Sequence, residues 1–253
     1  MVSNKKLKGS FGAISKNYDR YRPDYPKKLI TDIILYTKIK KSSNILEIGS
    51  GSGQASQYFL RKDFNLIMLD ISRELITIAK KKFKNYKNAK YIINSFEKAK
   101  LPSDNYDLIF SAQAFHWINP NLGFKKAHKL LKENGALAVF WNLVNKDESK
   151  MLQQIEKLYK KYCPDFKPDK TDKTIKIFRN NPAFKKVILR QYPRTILFTK
   201  FHYLKLIQTF SWIASLTAKQ KLKLLKEINK ELSKYKEPLH IPCKTLLCMG
   251  KKK

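Results

Sequence analysis

The sequence is poor in acidic residues, in glycine and in cysteine, and it contains no long apolar run. Each shortage closes a class of explanation. No hydrophobic stretch approaches the roughly 20 residues that a membrane-spanning helix needs, and the opening "MVSNKKLKGSFG" lacks the apolar centre of a secretory leader. A cytoplasmic protein without membrane insertion is therefore expected. The three cysteines, Cys163, Cys243 and Cys248, are odd in number and show no metal-ligand spacing. They suit buried thiols in a reducing compartment, with neither a disulfide framework nor a metal expected. Asp and Glu number 20 against 53 Lys and Arg, a formal net charge of +33. Such a charge suggests a polyanion partner only where the cations cluster. Here they run along the whole chain, as in "AKKKFKNYKNAK" and "KQKLKLLKEINKELSKYK", and Arg is scarce beside Lys. A general Lys, Asn and Ile bias, of the kind an AT-rich genome produces, accounts for them. Nonspecific, salt-sensitive adhesion is the expected contact with nucleic acid.

What is present is a strict alternation of elements. Short apolar strands are expected at Ile45–Ile48, at "NLIMLD" (65–70), at "AKYIINS" (89–95), at "YDLIFSAQAF" and at "ALAVFWNLV". Helices are expected at 24–40, in "QASQYFLRK", at 72–84 with Ser72 as N-cap, and at 119–135 with Gly135 just past the end. Strand and helix in turn predict an α/β fold, a doubly wound and mostly parallel sheet covered on both faces. After residue 145 the alternation lapses into helical additions: "ESKMLQQIEKLYKKYC", the broken "PDFKPDKTDK", "FHYLKLIQTFSWIASL" and "AKQKLKLLKEINKEL". Strand-like "KKVILRQYPRTILFT" and "IPCKTLLCMG" bring the sheet to seven strands. With no repeat and no linker, one domain over 1–253 is expected: an N-terminal lid and first helix (1–40), a cofactor-binding core (41–145), and helical additions with the last two strands (146–253).

Three of the chain's eight glycines fall within five residues, at Gly49, Gly51 and Gly53 of "ILEIGSGSGQ". A bare loop between a buried strand and a helix lets the backbone approach a polar or anionic cofactor. The spacing G-x-G-x-G is not the G-x-G-x-x-G of nicotinamide binding, and no G-K-[ST] follows as in an NTPase loop. Asp70 closes the second strand 21 residues after Gly49, near the interval at which an acid meets a bound ribose. Loop and acid together indicate a nucleoside with free ribose hydroxyls.

"LEIGSGSGQ", "LIMLDIS" and "YIINSFEKAKLP" resemble, in order, the first motif, the ribose-binding strand and the adenine-framing segment of class I S-adenosylmethionine-dependent methyltransferases. "FGAISKNYDRYRPDYP" and "SAQAFHWINP" are similar to the small-molecule branch that includes trans-aconitate methyltransferase-like proteins. The resemblance covers nearly all of the chain and implies a Rossmann-like methyltransferase fold with S-adenosylmethionine as cofactor. It implies that Glu47, Gly49, Ser50 and Gly51 line the methionine side, that Asp70 takes the ribose hydroxyls, and that Ile71 packs on the adenine. Ser95, Phe96 and Glu97 would border the adenine edge, although the spacing from Glu97 to Leu101 and Pro102 is longer than the common pattern. Gln113 at the end of the fourth strand belongs to the same cofactor set.

The acceptor pocket is sought at the carboxyl edge of the sheet. Phe115, His116 and Trp117 follow the fourth strand there, with His116 a base or a hydrogen-bond donor and the two aromatics a wall. Tyr18, Arg22 and Tyr25 come from the N-terminal lid, Arg22 being suited to a carboxylate, and Trp212 comes from "TFSWIASL". Methyl transfer from a sulfonium is an in-line displacement, so the protein's contribution is positioning and exclusion of water. A small acidic metabolite needs no base, whereas a phenol, amine or carbon acid does. A quinone or lipid-precursor methyltransferase, and an RNA or other nucleic-acid methyltransferase suggested by the charge, are the alternatives. Against the last, "SAQAF" stands where an N-P-P-[YF] motif would hold an extruded base.

Overall fold

The computed structural model describes residues 15–166 and 171–253. Residues 11–14 of the "FGAISK" segment, the rest of the expected lid before Ser15, and residues 167–170 of "PDFKPDKTDK" lie outside them. Seven strands form one sheet: β1 (Asn44–Ile48), β2 (Asn65–Asp70), β3 (Ala89–Ile93), β4 (Tyr106–Ala112), β5 (Leu131–Val144), β6 (Phe184–Phe198) and β7 (Leu239–Lys252). Their order is β3-β2-β1-β4-β5-β7-β6. β1 is flanked by β2 on one side and β4 on the other, both parallel to it, with Ile45 opposite Leu66 and Leu108. The winding reverses at β1, and the carboxyl ends of β1 and β4 are the switch point where open sheets of this kind bind ligands.

The chain divides into two compact units. The first comprises Asp24–Asn142, Asp169–Tyr192 and Thr245–Lys253 and is here the sheet unit. Its β1 buries Ile45, Leu46, Glu47 and Ile48 on both faces, as a parallel strand sandwiched by helices must. Phe59 stacks on Phe110 at 4.5 Å, and Phe110 on Phe140 of the neighbouring strand at 6.1 Å, in one run of rings through that core. The flanking helices are α2 (Lys27–Thr37), α3 (Ser56–Leu60), α4 (Arg73–Lys82), α5 (Pro120–Leu130) and α7 (Thr171–Arg179). Ser72 caps α4 by accepting from the Leu75 N–H, and Asn119 caps α5 through the N–H groups of Asn121 and Leu122, with Pro120 as first helical residue.

Three expectations of the sequence change here. α5 ends at Leu130, five residues before Gly135, because Leu131 already pairs with Tyr106 as the first residue of β5. The next pairs run from Leu108 with Ala136, so β5 advances five residues while β4 advances two. Three extra residues are absorbed in a bulge. Gly135 serves it: a Cβ there would lie 2.8 Å from the Tyr106 carbonyl oxygen and 2.9 Å from that of Lys132. The second change is α7, which starts in the stretch read as broken and runs beyond it. Its buried stripe, Thr171, Thr174, Ile175 and Phe178, has helical spacing but uses threonine for half of its members. The third is "FHYLKLIQTFSWIASL", which forms two helices, α8 (Lys200–Ile207) and α9 (Ser211–Ala214).

The second unit, Met1–Pro23, Leu143–Pro168 and Pro193–Lys244, is here the helical unit. It contains α1 (Ser15–Tyr21), α6 (Lys150–Tyr162), α8, α9 and α10 (Ala218–Leu232). Ile155, Ile207, Ile213, Leu224, Ile228 and Leu232 form its own apolar centre. α10 opens with a capping box between Thr217 and Gln220. Among the described residues no helix is long and apolar enough to cross a membrane.

Candidate active site

The turn after β1 is the first element of the site. Gly49, Gly51 and Gly53 all have left-handed backbone, with φ of +68°, +57° and +89°, a conformation that costs L side chains energy. The Gly49 and Ser50 N–H groups both donate to the Leu69 carbonyl at 2.8 and 3.1 Å, which ties the turn to the end of β2. Two of the glycines are also enforced by protein neighbours. A Cβ on Gly49 would fall 2.3 Å from the Ala114 Cβ, and one on Gly53 would fall 2.3 Å from the Phe83 ring and 3.2 Å from Met68. In the same turn Ser50 carries a buried hydroxyl with no hydrogen-bond partner among the described residues, an unmet demand of the kind a bound ligand satisfies.

Asp70 lies at the carboxyl end of β2 and is buried. Its Oδ2 accepts from the Gly51 N–H at 2.8 Å and its Oδ1 from the Ser72 N–H at 2.8 Å. The acid therefore fastens the glycine turn to the start of α4, and with the Ile71 N–H as a third donor one of its four acceptor positions is left. Burial pushes its carboxyl upward, against the lowering effect of the Ser72, Gly51 and Ile71 N–H groups. Ile71, beside it, is 49% exposed, an uncovered apolar side chain next to an anchoring acid. Glu47 is 1% exposed on β1 and accepts from the Ser56 hydroxyl. Burial, with the Asp70 charge adding to it, raises its carboxyl to about 8, while the Ser56 bond pulls the other way.

The segment after β3 is held from below. Lys126 of α5 donates to the carbonyls of Glu97 at 3.2 Å and Ala99 at 2.6 Å, and its ammonium sits 5.3 Å from the centre of the Phe96 ring. Phe96 is consequently buried. The Ser95 hydroxyl accepts from the Lys98 N–H at 3.3 Å and shapes the turn. Burial lowers the Lys126 ammonium below the usual lysine range, with Glu97 opposing it.

The turn after β4 carries the next group. Gln113 has left-handed backbone, φ +60°. Its N–H donates to the Phe140 carbonyl at 2.9 Å and its side-chain amide to the Asn142 carbonyl at 3.1 Å. Phe115, His116 and Trp117 form a short 3-10 turn. Phe115 is in the core, 1% exposed and 5.0 Å from Phe124, rather than on an open wall. His116 lies 5.1 Å from the Trp117 ring, and its Nδ1 accepts from the Trp141 indole N–H at 2.9 Å. Tyr25 is buried edge-on against Phe140 at 4.9 Å.

The remaining expected pocket residues belong to the helical unit. Arg22 lies between the Tyr18 ring at 5.0 Å and the Phe210 ring at 4.9 Å. Its Nε donates to the Thr209 hydroxyl and its Nη2 to the Thr209 carbonyl, both at 2.9 Å. Phe210 in turn lies 4.9 Å from Trp212, whose buried indole N–H has no partner among the described residues. Tyr18, Arg22, Phe210 and Trp212 thus form a continuous row within that unit.

Ser56, Ala114, Lys126 and Trp141 take part in this geometry and were not anticipated. Ser56 sits on the first turn after the glycines, where a hydroxyl facing back to a strand acid is a readable signal. Trp141 is fully buried on β5, and its spacing from His116 carries no local pattern. Among the described residues no group of three His, Cys, Asp or Glu side chains is arranged to hold a metal.

A family model described as a methyltransferase domain matches residues 46–139, the span from β1 to β5. A relative from Dictyostelium discoideum that carries a methyltransferase name is 36% identical over 135 residues, 53% of this chain and 49% of that protein, so the chain spans about half of that relative's length. The malonyl-[acyl-carrier protein] O-methyltransferase 1 of Ilyobacter polytropus is 30% identical over 208 residues, 79% of this chain and 76% of the relative. Among solved structures, a phosphoethanolamine N-methyltransferase 2 of Haemonchus contortus, in complex with phosphomonomethylethanolamine and S-adenosylhomocysteine, superposes with a TM-score of 0.61 at 12% identity. That match covers 100% of this chain and 60% of the other and speaks to the fold alone. The relative from Ilyobacter polytropus, matched over most of both chains, and the methyltransferase-domain match give the family: the chain belongs to the class I S-adenosylmethionine-dependent methyltransferases.

Proposed function

We propose that the protein transfers a methyl group from S-adenosylmethionine to an oxygen of a small acidic metabolite. The observation that carries the cofactor assignment is the buried Ser50 hydroxyl, without a partner among the described residues, in a turn whose Gly51 N–H is fastened to Asp70. A nucleoside fits these residues. Asp70 retains a lone pair for a ribose hydroxyl, the exposed Ile71 offers an apolar face for a base, and Glu47, Gly49, Ser50 and Gly51 would line the methionine side. Ser95, Phe96, Glu97 and Gln113 complete the frame, Phe96 and Glu97 through a segment braced by Lys126. When bound, S-adenosylmethionine supplies a sulfonium methyl group open to in-line displacement.

The acid is favoured as acceptor because the relative from Ilyobacter polytropus, aligned over three quarters of its length, is named for O-methylation of a malonyl group. The protein's task is then to orient the acceptor and keep water out. Phe115 and Tyr25 stiffen the β4 end from within the core, while His116 and Trp117 supply its polar and aromatic surface. Within the helical unit, Arg22, Tyr18 and Trp212 are proposed as ligand-contacting residues in their own right, Arg22 held in orientation by Thr209.

Two measurements test the proposal. Calorimetric titration with S-adenosylhomocysteine is expected to give one site per chain. Incubation with a tritiated methyl donor and panels of carboxylic acids, phenols and amines is expected to yield base-labile methyl esters from the acids. Turnover of phenols or amines with none of acids would overturn the acceptor assignment and leave the cofactor assignment standing.

A further inference from the structure

We propose that Lys126 is a positioning residue for selection of the cofactor's base: its ammonium clamps the turn 95–99 from α5, and preference for adenine over other purines depends on that clamp. The inference rests on the cofactor reading above, which sets Ser95, Phe96 and Glu97 beside the base. Most lysines of a chain this basic lie in water, and Lys125 and Lys129 of the same helix are exposed, whereas Lys126 is half-buried. Bringing an ammonium out of water is unfavourable unless its N–H groups are received elsewhere. Burial accordingly lowers it below the usual lysine range, with Glu97 opposing and Lys129 adding to the effect. Two backbone carbonyls receive it, that of Glu97 at 3.2 Å and that of Ala99 at 2.6 Å, and the centre of the Phe96 ring lies 5.3 Å from the same nitrogen. All three groups belong to one turn. An ammonium shared by carbonyls two residues apart turns both to one side, and its charge makes these bonds stronger than bonds between neutral groups.

The front of the turn is fastened to the sugar side of the site. Asp70 pairs in register with Ile93, and the Asn94 N–H donates to the Asp70 carbonyl at 3.0 Å. The Asn94 side-chain oxygen then accepts from the Ser95 N–H at 2.8 Å. Inside the turn the Ser95 carbonyl accepts from the Lys98 and Ala99 N–H groups at 3.2 and 2.9 Å. β2 thus fixes where the turn begins, and α5 fixes where it ends. A single turn has too few internal bonds to hold itself, so loss of the tie to α5 leaves it hinged at Asn94. A sugar contact at Asp70 survives that loss, while contacts to the edge of the base do not. Edge contacts are what separate one purine from another, because a base with an oxygen in place of its amine keeps shape and stacking but reverses donor and acceptor. Lys126 acts through the turn and touches no ligand atom itself.

The test compares calorimetric affinities for S-adenosylhomocysteine and S-inosylhomocysteine, whose base carries an oxygen where adenine has its amine. The wild type is expected to prefer the adenine ligand by about tenfold or more. Lys126→Met keeps the buried stem and loses the charge, and is expected to cut that preference by a factor of about three or more, chiefly by weakening the adenine ligand. Lys126→Arg retains a charged donor and is expected to restore most of it. In cofactor-free protein the Lys98 and Ala99 amides of Lys126→Met are expected to exchange about tenfold faster, with those of β1 at wild-type rates. A merely structural lysine would weaken both ligands by the same factor, and that result overturns the inference, as does an unchanged ratio or an arginine no better than methionine. Should Lys126→Met fail to fold, the shorter, neutral Lys126→Gln decides by the same ratio. A wild type that binds both ligands equally would overturn the inference and leave the cofactor reading standing. A wild type that binds no S-adenosylhomocysteine would remove the cofactor reading itself.

Discussion

The turns after β1 and β4 stand at the ends of neighbouring strands and reach left-handed backbone by different means. The first uses Gly49, Gly51 and Gly53, where the absence of a side chain is the point. The second uses Gln113 at φ +60°, and its side chain recovers part of the cost through the Asn142 carbonyl. Ala114 of the second turn packs into the space that a Cβ on Gly49 would fill, so the bare turn is shaped by its neighbour as well as by a cofactor. Glycines in a fingerprint are commonly explained by ligand access alone. Here two of the three have a protein atom at the forbidden position, and only ligand-independent measurements separate the two demands.

The largest effect is expected for Gly49→Val, which combines φ +68° with a clash on Ala114. A loss of about 3 kcal/mol or more of stability is expected in thermal melts without cofactor. A purely ligand-serving glycine would leave the cofactor-free melt intact. Glu47→Gln follows. Because the folded carboxyl is raised from 4.5 to about 8, the folded state holds its proton longer than the unfolded chain. That contribution is fully present below pH 4.5 and is lost as pH climbs through 8. The wild type is expected to lose on the order of 1.4 kcal/mol per pH unit across that window. The amide variant should show a flatter denaturant-derived profile and greater stability at pH 9.

Asp70→Ala is expected to weaken cofactor binding by about 1 to 3 kcal/mol, as for a charge-assisted hydrogen bond. It should also loosen the Gly51 turn. Unchanged calorimetric affinity would remove the acid from the ribose role and leave it as a fastener between the turn and α4. The smallest change is expected in the second turn. Gln113→Ala keeps the backbone strain and loses the bond to Asn142, a cost of about 1 kcal/mol, whereas Gln113→Gly relieves the strain and should return much of it. Equal destabilisation by both would show that the strain at Gln113 is negligible and that the two turns do not differ in kind.

The sheet unit was largely legible in the sequence because its elements announce themselves locally. β1 and β2 are continuous apolar runs stopped by a glycine and an acid, and Ser72 caps α4 as its hydroxyl predicts. Where reading failed, the determinant was tertiary. Gly135 looks like a helix terminator but answers to the Tyr106 carbonyl of another strand. α7 hides because Thr171 and Thr174 serve on its apolar side, and threonine reads as polar. Around the candidate site, Asp70 and the glycines were picked out by spacing and Glu47 by the resemblance, while Trp141 was not, since what brings it in is a hydrogen bond to His116, 25 residues away in the chain. Phe115 was placed at an open wall on the strength of its neighbours, and its own packing on Phe124 takes it into the core.

The small bulge around Gly135 keeps its effect to itself. β5 takes five steps where β4 takes two, and Ala136 then meets Leu108 as it would in a regular pair of strands. Excising the three additional residues would leave Gly135 opposite Asp107 and every later residue of β5, Trp141 included, on its present side of the sheet. The kink thereby insulates the carboxyl end of the strand, where the candidate site lies, from changes of length at the other end.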